Sequence, residues 1–218
     1  MSEAVNGLEE KNMKRYVSVL GSTGDIREVV PEGTEGAVRR EYETSDGKTG
    51  VKWEKVYKSL GGKIVDVNLF DGDYGTQLQI AVEYAEGVDP IVLALATNSS
   101  FGEDVMKKLT NINFNEHVVF TPYAFINDKG KNQKGMTITQ GDTKIQNYFW
   151  DTEAKKSTNG LPEPKGDTAK FTKEKWVLYF ATVRDFLVDF TRDTVLPKFG
   201  HTGVEEARQT EAVDPSDF

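Results

Sequence analysis

The alternation of apolar and polar positions predicts strands over most of the chain, with a short helix in the middle and a long one near the end. Residues 76–84 alternate cleanly, with Leu78, Ile80, Val82 and Tyr84 on one side and Gln77, Gln79, Ala81 and Glu83 on the other. A period of two marks a strand with one face against a core. Residues 63–70 read as another strand, with Val65, Val67 and Leu69 on one face, and 91–96 as a short, continuously apolar one. A helix is expected next. Ser100 and Glu103 have capping-box spacing, and Phe101, Val105 and Leu109 recur on one helical face. Strands resume at 117–126 and 135–140 across a basic loop, 127–134, and a further piece, 144–150, ends in three aromatics. Ahead of these, 16–30 predicts one or two short strands, and 37–44 and 51–57 a hairpin around the turn at 45–50.

Over residues 62–141 the order is strand, strand, strand, helix, strand, strand, which is the element order of the OB-fold, a five-stranded Greek-key barrel. The expected class is therefore mainly β with helices: an OB-fold-like five-stranded barrel with extra N-terminal strands and a long C-terminal helix. That helix is expected over 172–196, with Trp176, Phe180, Val183, Leu187 and Phe190 as a stripe against the barrel and Pro197 as its stop. Residues 151–170 read as a loop. The expected organisation is a flexible leader, 1–12, one domain, 13–200, and a disordered acidic tail, 201–218.

Composition narrows the chemistry. The 218 residues are 37% hydrophobic, enough for a core, and carry a formal charge of −8. There is no cysteine, so disulfides, thiolate metal sites and cysteine nucleophiles are excluded. Only His117 and His201 could supply imidazole, which argues against histidine-based zinc or relay chemistry. No apolar run approaches the roughly 20 residues of a membrane span. The N-terminus is acidic and polar, unlike a secretory signal, so a cytoplasmic protein is expected. The charge is uneven: residues 129–176 hold 10 Lys against 6 Asp and Glu within an acidic whole. A local field of that sign can attract a polyanion whatever the total charge.

The last residues, 201–218, set Glu205, Glu206, Glu211, Asp214 and Asp217 against Arg208 alone, and close on Asp217-Phe218. With the element order of 62–141, this resembles the bacterial and bacteriophage single-stranded DNA-binding proteins, which combine an OB-fold with an acidic tail ending in phenylalanine. The resemblance implies a non-enzymatic, cofactor-free protein that coats single-stranded DNA during replication or recombination. It would recruit partner proteins through Asp214, Pro215, Asp217 and Phe218, act as a monomer or dimer, and work in the host cytoplasm if viral.

The residues support the same expectation independently. A general single-strand binder needs cations along a groove and aromatic faces for stacking, each stacked base contributing about 1–3 kcal/mol. Candidate stackers are Trp53, Tyr74, Tyr123, Phe125, Tyr148 and Trp150. Candidate phosphate contacts are Lys52, Lys55, Lys129, Lys131, Lys134 and Lys144. Phe70, Phe120 and Phe149 are assigned to the core by alternation. Two competing signals are weaker. Residues 17–24 suggest the strand and glycine turn of a dinucleotide site, but Arg27 stands where a third glycine is needed and Pro31 blocks the helix. Asp66, Asp71 and Asp73 suggest a metal loop, but Gly75 occupies a position that requires an oxygen ligand. The alternative from another class is a β-rich structural or adaptor protein, such as a viral assembly component, that uses the long helix as its interface.

Overall fold

The computed structural model describes residues 14–44, 47–73 and 75–201. The expected leader, Tyr74 and the acidic segment with Asp214, Pro215, Asp217 and Phe218 lie outside the described residues.

Four strands come first: β1 (Arg15–Val19), β2 (Ile26–Val30), β3 (Val38–Glu43) and β4 (Thr49–Tyr57). A meander follows, of β5 (Leu60–Gly72), β6 (Gly75–Glu83) and β7 (Ile91–Ala96), then helix α1 (Ser100–Met106). Next comes a hairpin of β8 (His117–Ile126) and β9 (Asn132–Gln140), followed by the short strands β10 (Thr143–Lys144), β11 (Trp150–Asp151) and β12 (Lys156–Ser157). Helix α2 (Lys173–Thr194) closes the described chain with a 3-10 turn, Leu196–Phe199.

Ten strands form one sheet in the order β10-β9-β8-β5-β6-β7-β1-β2-β4-β3, while β11 and β12 pair apart. The five strands expected to form a barrel are consecutive in that order. Among the described residues they do not close into a five-membered ring. Instead β1 lies parallel to β7 and extends the sheet through β2, β4 and β3. The long β5 joins the two halves, its first residues pairing with β8 and the rest with β6.

The core lies on the face that holds Val67, Ile80, Val82, Leu93, Phe120 and Ile138, all fully buried. Each such side chain contributes about 1.5–3 kcal/mol relative to exposure. Phe70, Phe120 and Phe149 are buried, as alternation predicts. Val65 is not: a bulge between Ile64 and Asp66 shifts the register, so Ile64 points to the core and Val65 is 40% exposed. Tyr84 also departs from its strand's pattern and is 46% exposed, because β6 ends at Glu83, beyond the core.

The cap of α1 is Ser99 rather than Ser100, its hydroxyl oxygen accepting from Gly102 N at 3.0 Å. Glu103 instead pairs with Lys107. Phe101, Val105 and Leu109 are buried as expected. Residues 144–150, expected as a strand, are strand only at their two ends. Thr172 caps α2, which buries Val183, Leu187 and Thr191. Phe186 and Phe190 pack on Phe149, with ring centroids 5.6 and 4.9 Å away. The helix therefore lies against the sheet domain through its middle and C-terminal turns.

Candidate nucleic-acid interface

The hairpin of β8 and β9 outlasts the core. Val118, Phe120 and Pro122 are buried, whereas Phe125 is 55% and Ile126 69% exposed. The distal part is therefore an arm projecting from the packed region. Its turn is built by Asn127, whose side-chain oxygen accepts from the backbone N of Lys129 and Lys131 at 3.0 and 2.9 Å. This Asx geometry fixes the backbone and leaves the side chains of Lys129 and Lys131 in solvent. Lys134 is exposed on β9 opposite Ala124.

Tyr123 and Phe125 share the outer face of the arm, centroids 5.9 Å apart. Tyr123 lies across Gly135, where any Cβ would sit 2.5 Å from the phenol oxygen. The glycine makes room for the ring. Below it the arm is pinned to α1: the Asp104 carboxylate accepts from Met136 N at 2.7 Å and from Lys108 Nζ at 2.8 Å, and Lys108 Nζ also donates to Met136 O at 2.6 Å. Burial, and secondarily the Asp104 charge, raise the Tyr123 phenol above its ordinary range, so it stays neutral.

The far half of the sheet curls back towards this arm. At Gly24, in the β1–β2 turn, a Cβ would lie 2.8 Å from Ala124 N, and the backbone has φ +76°, so glycine alone suits the contact. Ile26 belongs to the core, and register puts Tyr57, Lys55 and Trp53 on its side of the sheet. These residues continue the core-facing side past the end of the core, as Ala124, Ile126 and Lys134 do on the arm. Trp53 and Lys55 are half-buried there.

Arg15 and Glu28 are on the same side. Arg15 makes a bidentate pair with Glu28 at 2.8 and 2.9 Å, and Tyr57 donates to Glu28 at 2.7 Å. The Arg15 hydrogen bonds hold the Glu28 carboxyl below its usual range despite burial. Burial and the bond to Glu28 push the Tyr57 phenol up to about 12.

The twelve expected contacts thus separate. Tyr123 and Phe125 share one face of the arm, Lys129 and Lys131 stand at its turn, and Lys134, opposite Ala124, lies on the other face; Trp53 and Lys55 lie on the wing that meets the arm at Gly24. Lys52 points to the other face of β4, buried at 8% exposure with its ammonium 4.7 Å from the Tyr42 ring centroid. It is not presented to a phosphate. Lys144 and Trp150 are exposed, but Lys144 pairs opposite Thr139, at the end of β9 remote from the arm's turn. Tyr148 is half-buried, its ring packed on Phe149 and Phe190 at 5.1 and 5.8 Å, so it serves the helix contact rather than a base. Tyr74 lies outside the described residues.

Several residues beyond the core escape a reading by type. Arg15, Tyr57 and Tyr84 line the core-facing side beyond the core; the only clue is that their alternating strands run longer than one core layer. On the opposite face of β6, Gln77 and Gln79 are buried, and Gln77 Oε1 and Gln79 Nε2 have no partner. The described residues contain no cluster of three or more His, Asp or Glu able to hold a metal ion, and no helix long and apolar enough to cross a membrane. No family model, curated protein or solved structure matches this chain.

Proposed function

We propose that this chain is a sequence-independent single-stranded DNA-binding protein built on an OB-type arrangement of β5–β9. The observation that carries the reading is the projecting arm, on which exposed Phe125 adjoins Tyr123 next to a turn that carries the solvent-exposed Lys129 and Lys131. Rings supply stacking that any base satisfies, and flexible ammonium groups follow a phosphate backbone without reading sequence. The consecutive order β9-β8-β5-β6-β7, with α1 between β7 and β8, supports the OB-type assignment. No catalytic step or cofactor is invoked. The acidic segment with Asp214, Pro215, Asp217 and Phe218 recruits replication or recombination proteins in this reading.

Oligo-dT titration followed by tryptophan fluorescence tests it. Trp53 and Trp150 are both solvent-accessible reporters. The expected result is quenching with micromolar or tighter affinity that weakens steeply as salt rises, and much weaker binding to duplex DNA. Absence of quenching together with absence of any salt-dependent shift of labelled oligo-dT would reject the proposal.

A further inference from the structure

The outer edge of β9 is satisfied along part of its length and open along the rest. In an antiparallel pair the backbone groups of alternate residues point to the partner strand, and those between them point away. Lys131 O accepts from Asn127 N at 2.9 Å, so the odd-numbered residues of this stretch bond to β8 and the even-numbered ones face outward. At Met136 the outward N–H donates to Asp104 of α1 at 2.7 Å, and the outward C=O accepts from Lys108, just after α1, at 2.6 Å. Ile138 O accepts from Ile145 N at 2.9 Å. Among the described residues no group bonds to the outward N–H and C=O of Asn132 and Lys134.

This open edge is also where the two faces of the arm meet. Tyr123 and Phe125 lie on one face and Lys134 on the other. Gly135 lets the Tyr123 ring reach across β9. A Cβ there would sit 2.5 Å from the phenol oxygen and 2.6 Å from Asp104 Oδ2, the carboxylate that borders the open stretch. Lys131 immediately precedes the stretch and Lys129 stands at the turn, both in solvent. Over residues 127–134 three lysines stand against Asp128 alone, and Asp104 is already paired with Lys108 at 2.8 Å. A ligand that touches both the rings and Lys134 runs along this edge, and the charge selects an anionic one.

We propose that an unpaired nucleic-acid strand follows the outer edge of β9. Successive phosphates take the outward N–H groups of Lys134 and Asn132, and the bases turn over Gly135 and Gln133 onto the rings of Tyr123 and Phe125. Backbone N–H groups are ordinary phosphate ligands. Along an antiparallel edge the outward N–H groups recur about 7 Å apart, close to the spacing of successive phosphates in an extended single strand. Lys134 reaches the same phosphates from the other face, and Lys131 and Lys129 reach them from the turn. A duplex cannot take this path, because its bases are paired and stacked away from the rings. The path rests on the nucleic-acid reading of the arm, and adds to it two backbone donors and the reason an unpaired strand is selected.

Amide hydrogen exchange of the full chain, resolved by NMR with and without saturating oligo-dT, tests it. The Asn132 and Lys134 amides are expected to exchange at least about tenfold more slowly with oligo-dT bound, while Gln133 and Gly135, bonded within the hairpin, are protected in both states. Lys134→Pro and Lys134→Ala both remove the ammonium, but only the first removes the N–H, a loss that an edge strand tolerates. The proline variant is expected to bind oligo-dT about tenfold more weakly than the alanine variant. Their salt slopes stay equal, since a neutral donor releases no counterion. Where the proline variant melts early, exchange in the wild-type chain decides. Oligo-dT binding that leaves both amides as fast as in the free chain, or equal affinity of the two folded variants, overturns the path and leaves the function standing. Failure to bind oligo-dT at all removes the function and the path with it. Protection of the same amides by a polyglutamate peptide and not by oligo-dT assigns the edge to an added peptide strand, and likewise overturns the proposal.

Discussion

Replacing Lys129, Lys131 and Lys134 together by alanine isolates the electrostatic part of the proposed interface. All three side chains are exposed. The turn that presents them is held by backbone donors to Asn127 and by the β8–β9 register, neither of which uses a lysine side chain. Stability is therefore expected to change by no more than about 0.5 kcal/mol. Each lysine that neutralises a phosphate of a single strand contributes about 0.7 to the slope of log K against log salt concentration. Three contacts give about 2. Between about 50 and about 200 mM salt, a fourfold change, a slope difference of 2 becomes roughly a 20-fold difference in how much affinity is lost.

The assay is anisotropy of labelled oligo-dT at four or more salt concentrations, for wild type, the triple variant and a control with Lys165 and Lys170 replaced. The control residues are also exposed but lie before α2, away from the arm. The triple variant is expected to show a slope shallower by about 2 and the control an unchanged slope. A triple variant that keeps the wild-type slope would show that the arm's lysines touch no phosphate. The proposed path of the strand would then be wrong, even if binding survived through other residues.

The remaining expectations concern the rings, the ion clusters and the helix contact. Tyr123→Ala with Phe125→Ala removes two stacking faces and is expected to weaken oligo-dT binding by roughly 1–3 kcal/mol per stacked base, measured by anisotropy, with little loss on an abasic oligomer of equal charge. Glu54 is buried between Arg27 and Arg40, whose hydrogen bonds outweigh burial and hold its carboxyl below the usual range. Its stabilising contribution is therefore present above the ordinary glutamate range and disappears as pH falls through the lowered value. Glu54→Gln is expected to lower urea stability by about 1.5–3 kcal/mol near neutrality, with the gap to wild type closing below about pH 4. Phe149→Ala empties a fully buried site under α2 and is expected to cost about 3–5 kcal/mol by denaturant titration.

The fold was legible wherever one face of an element meets the core throughout its length. Leu78, Ile80 and Val82 alternate because one core layer receives all three, and Val183 and Leu187 share a stripe because α1 and the Phe149 segment lie along one side of α2. The reading failed where geometry breaks the period. The bulge after Ile64 exchanges Val65 for its neighbour, and no residue type announces it, since both are β-branched. Residues 144–150 carry strand-like composition, but Tyr148 N bonds to Lys107 O at 2.8 Å and Phe149 drops beneath α2, so aromatic packing replaced a ladder.

The site was harder to read because residue type does not say where a strand leaves the core. Lys52, Trp53 and Lys55 look alike as a basic, aromatic run, yet alternation sends Lys52 to the Tyr42 ring and its two neighbours to the other face. Tyr148 and Tyr123 are both tyrosines in basic surroundings. One is packed by Phe190, and the other lies across a glycine of the neighbouring strand. What exposes Phe125 and the three lysines of the arm is strand length. β8 and β9 run several residues beyond the last buried side chain, and the Asp104–Met136–Lys108 bonds hold their base firmly enough for that excess to project. The opposing wing meets the arm through a contact between residue 24 and residue 124, a separation that no local periodicity encodes. Such a contact is a property of closure between distant segments, and it follows from the curl of the sheet rather than from composition or spacing.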